Sequence, residues 1–143
     1  MAKIQRYQKA RLEQNAEEGD TDAQNKLGHI YYSKGINKDC KKAFELFEEN
    51  AKRDNPDAQN YVGYMYLNGI GIDKDNTKAF EWYKQSADRG NIKSQNKLGY
   101  MYYNGIGINK NYKKAFELFQ KSAERNNSNG QYWLGKMYYI GKY

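Results

Sequence analysis

With 143 residues, one histidine and one cysteine, the chain has the length of a single domain and cannot assemble an internal disulfide, a two-histidine metal site or a cysteine–histidine metal cluster. A hydrophobic share of 38% and a mean hydropathy of −1.15 leave no apolar run near the roughly 18 residues that span a membrane. MAKIQRYQKA lacks the apolar core of a secretory signal, so a cytoplasmic location is the simplest expectation.

Taken in order, the chain opens with Ile4, Tyr7 and Leu12 at loosely helical spacing, which predicts a cap helix over residues 1–15. From there the sequence repeats itself. Gly28, Gly63, Gly99 and Gly135 form one column and Tyr31, Tyr66, Tyr102 and Tyr138 another, with steps of 35, 36 and 36 residues in both. Ala43-Phe44, Ala79-Phe80 and Ala115-Phe116 recur in the same register, and Leu12 falls in the column of Phe47, Tyr83 and Phe119. A period of 20 to 50 residues marks an array in which each unit relies on its neighbours to bury its apolar face. The expected organisation is therefore one domain over residues 1–143, with repeats at 16–50, 51–86 and 87–122 and a partial repeat at 123–143.

Each repeat holds two helices. Helix A of the second repeat starts at the cap residue Asn55 with Pro56 after it, buries Ala58, Val62, Met65 and Tyr66, and stops at Gly69 and Gly71. Asp20, Asn91 and Asn127 fill the same cap column. Helix B is capped by Asp75, with Asp39 and Asn111 as counterparts, buries Ala79, Phe80, Tyr83 and Ala87, and ends at Gly90. Arg53, Arg89 and Arg125 are expected in its last turn, where a cation suits the helix dipole. Repeat one has lost a residue between Tyr32 and Gly35, which predicts a shorter hairpin at Ser33-Lys34-Gly35-Ile36.

The L-G-x-x-Y pattern of Leu98-Gly99 and Tyr102, followed by A-x-x-x-F at Ala115 and Phe119, resembles the tetratricopeptide repeat. The 36-residue period, the glutamines Gln24, Gln59, Gln95 and Gln131 in the tetratricopeptide tryptophan column, and the Gly69-Ile70-Gly71 and Gly105-Ile106-Gly107 loops are instead similar to the Sel1-like repeat family. The resemblance covers about residues 16 to 143, and Asp57 to Gly90 follows the consensus closely. It implies an all-α, right-handed solenoid of stacked antiparallel helix pairs and an adaptor role in protein complexes. One branch of that family is secreted and carries a disulfide in each repeat. This chain lacks those cysteines, so nothing of that branch transfers.

Little in the sequence suggests catalysis, and neither an enzyme activity nor a cofactor is expected. His29 reads as a surface position of helix A, Cys40 as an exposed bystander, and the G-x-G loops as turns, being preceded by no strand and lacking a third glycine. The acidic pair Asp73 and Asp75 reads as capping. Function is left to the surface that packing does not dictate. If Val62, Gly63 and Tyr66 face inward, one outward stripe of helix A carries Asn25, Asn60, Asn96 and Tyr132; His29, Tyr64, Tyr100 and Lys136; Tyr32, Leu67, Tyr103 and Tyr139; and Ser33, Asn68, Asn104 and Ile140. Asparagine amides suit a peptide backbone and tyrosines supply contact area at low entropy cost. A peptide or protein partner on the concave helix-A face is thus expected, centred on Asn60, Tyr64, Asn96 and Tyr100. The alternative reading has the asparagines bracing neighbouring helices and the tyrosines packing between repeats.

The +7 net charge is uneven: basic and acidic residues cancel up to Ser86, and the whole excess lies between Ala87 and Tyr143. That basic third is the rival site, for nucleic acid or an acidic partner. Nucleic acid is disfavoured because arginine is scarce there and Lys113, Lys114 and Lys121 fall on the solvent side of helix B. With no helix B after Tyr143, the last apolar face is open for a longer chain, a partner or a second copy. A far-ultraviolet circular dichroism spectrum should be that of an α-helical protein; one dominated by strand or coil would end this reading.

Overall fold

The computed structural model describes residues 2–33 and 37–143, and among them every regular element is an α-helix. In chain order these are α1 (Ala2–Glu17), α2 (Thr21–Ser33), α3 (Asn37–Lys52), α4 (Pro56–Asn68), α5 (Asn76–Asp88), α6 (Ile92–Asn104), α7 (Tyr112–Glu124) and α8 (Ser128–Ile140). Helix A of each repeat is α2, α4, α6 or α8, and α1 stands where a helix B would precede the first of them. The helices gather into two compact units, residues 1–74 and 75–143. Within the first, α2 packs on α1 and α3, and α3 on α4; within the second, α6 packs on α5 and α7, and α7 on α8.

The expected caps set the helix starts. The side-chain oxygens of Asn55, Asp75, Asn91, Asn111 and Asn127 each accept from a backbone N–H three residues on, and Asp20 does the same for Ala23. Asp39 is the exception. Helix α3 begins at Asn37, so Asp39 lies inside the first turn, where its charge favours the helix dipole without capping. The shortened hairpin at residues 34–36 lies outside the described residues.

The core follows the columns. Ala58, Val62, Met65 and Tyr66 are buried in α4, and Ala79, Phe80, Tyr83 and Ala87 in α5. The glycine column permits the closest approach: a β-carbon at Gly28 would lie 2.8 Å from Phe47 Cζ, and one at Gly99 2.8 Å from Phe119 Cε1. The loop glycines have two reasons to be glycine. Gly71 and Gly107 adopt φ of 70° and 68°, and a β-carbon there would collide with the backbone carbonyl of Cys40 or Asn76 at the start of α3 or α5. Cys40 is accordingly half-buried rather than the exposed bystander expected of it.

Polar groups hold the helices in register. Where a tetratricopeptide repeat has tryptophan, the buried Gln24, Gln59 and Gln95 donate from Nε2 to the carbonyls of Ala16, Ala51 and Ala87 at 3.1, 3.2 and 3.4 Å. These carbonyls belong to the last turns of helices and also accept from the backbone N–H groups of Gly19, Asp54 and Gly90, so each glutamine supplies a second donor. The arginine column sits one residue beyond the helices, not in their last turns. Arg53 and Arg125 donate to the carbonyls of Gly19 and Gly90, one repeat earlier in the same unit.

Overpacking at the glycine contact yields a clean contrast. Gly99→Leu forces a side chain into the Phe119 ring and should destabilise by about 1–3 kcal/mol. Gly135 has nothing within 4 Å of its would-be β-carbon, so Gly135→Leu should leave the melting temperature unchanged or raise it, since glycine inside a helix costs about 1 kcal/mol.

Candidate functional site

In the first unit, α2 and α4 place the outward columns of repeats one and two side by side. Between them lies an apolar cleft of about 250 Å³, walled by His29, Tyr32, Phe47, Asn60, Tyr61 and Tyr64, with the buried Met65 at its base. Its rings are held edge to face: His29 meets Tyr61 at 4.4 Å and 89°, and Tyr32 meets Tyr64 at 6.5 Å and 70°. Phe47 supports the arrangement from beneath, stacked on Tyr61 at 4.7 Å. Burial first, and then the charge of Asp57, pushes the Tyr61 phenol above its ordinary pKa. A hydrogen bond with Tyr64, together with burial, does the same for Tyr32.

The second unit builds the same arrangement with different residues. Trp133 of α8 stacks on Phe119 at 5.3 Å and 8°, as Tyr61 does on Phe47. Tyr100, Tyr103 and Tyr132 surround it at centroid distances of 5.6, 5.3 and 5.7 Å. Lys136 lays its ammonium over Trp133, 4.7 Å from the ring centroid, and Lys97 lies over Tyr100 at 5.5 Å. The structure thus brings His29, Asn60 and Tyr64 together in one unit and Tyr100, Tyr103, Tyr132 and Lys136 in the other.

The asparagines divide. Asn25 accepts from Asn50 at 2.7 Å, and Asn96 donates to Asn127, the cap of α8, at 2.8 Å; these two brace neighbouring helices. Asn68 and Asn104 donate back to the carbonyls of Tyr64 and Tyr100 on their own helices. Leu67 is half-buried on the same stripe. Sequence reasoning passed over Tyr61 and Trp133, although their column, Lys26, Tyr61, Lys97 and Trp133, alternates lysine with an aromatic and so signals two sites of one design.

Because Asn96 ties α6 to the cap of α8, Asn96→Ala should lower unfolding stability by about 0.5–1.5 kcal/mol. Asn104→Ala, which loses only an exposed bond within its own helix, should stay within about 0.5 kcal/mol of the parent. Urea unfolding followed by far-ultraviolet circular dichroism measures both.

Comparison with known proteins places this geometry. A crystal structure of c5321, a protective antigen present in uropathogenic Escherichia coli strains and displaying an SLR fold, matches with a TM-score of 0.87 and 33% identity over 92% of this chain. A Sel1 repeat protein from Oxalobacter formigenes matches at 0.79 and 31% over 86%. Helicobacter pylori cysteine rich protein B (hcpB) matches at 0.60 and 26% over 62% of this chain and 67% of its own. The chain spans only 28% of the first and 51% of the second. No curated protein matches it by sequence. These neighbours are all-helical repeat proteins of the solenoid class, and Sel1-repeat proteins are generally non-enzymatic scaffolds for protein interaction. The family model described as Sel1 repeat matches residues 21–55, 56–91, 92–127 and 128–143, and the chain belongs to the Sel1 repeat family.

Proposed function

We propose that the protein is a non-catalytic scaffold that holds a peptide or protein partner on its helix-A face. The observation that carries this is the cleft between α2 and α4. The outward-facing columns of helix A converge there on an apolar recess large enough for one side chain. Tyr64 and Tyr100 remain 39% and 36% exposed, so the rings are not spent on packing alone. Asn25 and Asn96 contribute by positioning, since their amides are already engaged. Among the described residues no helix is long and apolar enough to cross a membrane.

Nucleic acid binding through the basic residues 87–143 is the weaker reading. Lys97, Lys110, Lys114, Lys136 and Lys142 each lie over a tyrosine or tryptophan ring, so much of the excess charge is engaged in packing rather than aligned for phosphates.

The test is capture from a lysate of the source cells on immobilised wild type and on His29→Ala/Tyr64→Ala, with circular dichroism confirming that both fold. Proteins retained by the wild type should be lost from the variant and should survive a rise from about 50 to 200 mM salt, which strips phosphate-bound partners. An identical retained set would move the site off this face.

A further inference from the structure

The two aromatic arrangements are one design in two states. Counting through the repeats, Tyr100 stands in the column of His29, Tyr103 in that of Tyr32, Phe119 in that of Phe47, Trp133 in that of Tyr61 and Lys136 in that of Tyr64. In the second unit the place is taken by the chain's own cation, because Lys136 Nζ lies over Trp133. In the first unit tyrosine replaces that lysine, and the place is an open cleft. The other lysine is withdrawn as well. Lys26, the counterpart of Lys97, forms an ion pair with Asp22 at 2.7 Å instead of covering a ring. No lysine or arginine among the described residues lies over His29, Tyr32, Phe47, Tyr61 or Tyr64. One further column differs in the same sense: Asp57, whose charge is felt at Tyr61, occupies the column held by the neutral Asn129 in the second unit.

We propose that the cleft between α2 and α4 seats the ammonium of a lysine side chain from the bound peptide, in the position that Lys136 fills for itself in the second unit. This rests on the scaffold reading above and names the chemistry of what is recognised. The physical basis is the attraction of a cation to the faces of several neutral rings in a partly desolvated recess. The charge of Asp57, which reaches Tyr61, adds to it through its field. A lysine is favoured over a purely aliphatic side chain because the chain's own solution to the same ring arrangement is a lysine with its ammonium over Trp133.

The experiment titrates isotope-labelled protein with the peptide acetyl-Gly-Ser-Lys-Ser-Gly-amide and with its norleucine counterpart, reading amide shifts. The lysine peptide should move the resonances of His29, Tyr61 and Tyr64, and the norleucine peptide should bind about tenfold more weakly. Tyr64→Lys, at an exposed position, should abolish the response by giving the first unit its own cation. Lys136→Tyr should open a second site and raise the stoichiometry from one peptide to two. Equal binding of both peptides at these residues would overturn the cation assignment while leaving a peptide-binding face. Absence of any shift there, or an unchanged response in Tyr64→Lys, would also overturn it, whatever lysate capture shows of the scaffold reading.

Discussion

The contact between a helix-A glycine and a helix-B phenylalanine is the constraint on which the rest depends. Gly28 against Phe47 and Gly99 against Phe119 bring the two helices of a repeat so close that one face of the ring is covered by bare backbone. The opposite face is then presented to helix A of the following repeat, where Tyr61 or Trp133 stacks upon it. Once that second ring is placed, the residues three positions on and one repeat back fall around it, and a recess lined by rings results. The same phenylalanine that closes the core thus also lines the candidate site.

A chain this hydrophilic can hold such an array because its polar residues are used structurally. Burying an amide is unfavourable unless it is hydrogen-bonded, and Gln24, Gln59 and Gln95 meet that condition on one side by giving carbonyls at helix ends a second donor beside the backbone N–H each already accepts. Arg53 and Arg125 extend the logic to the surface, tying the carbonyl at the end of one helix B to the end of the next. Asn25 and Asn96 work likewise at the helix starts.

Charge is handled differently in the two units. In residues 75–143 lysines fold back over tyrosine and tryptophan rings, which satisfies the aromatic faces internally and spreads positive charge over an otherwise aromatic surface. Lys142 also donates to the Tyr112 hydroxyl, and that bond lowers the phenol's pKa. In residues 1–74, among the described residues, no lysine covers the helix-A rings around the cleft. The difference arises from single substitutions in two columns, not from a change of fold, which is how a repeat protein can vary recognition while keeping its packing.

By itself the sequence determined the helices, their caps apart from that of α3, the buried columns and the all-α repeat fold, because those features depend on neighbours within one helix or on one repeated spacing. It also set His29, Asn60 and Tyr64 on one outward stripe of helix A, and these three line the cleft of the first unit. Only the tertiary structure decided which of those side chains remain available. Asn25 and Asn96 lie on the stripe by register, yet their amides meet Asn50 and Asn127, residues 25 and 31 positions away, at a distance that only the crossing of helices sets. Tyr61 and Trp133 were missed for the same reason. Each belongs to the flank of its helix, neither core nor outward stripe, and becomes central only because the preceding repeat offers the open face of a phenylalanine there. Periodicity reports which way a side chain points from its own axis; what stands opposite depends on how closely two axes approach, and in this chain glycine sets that distance.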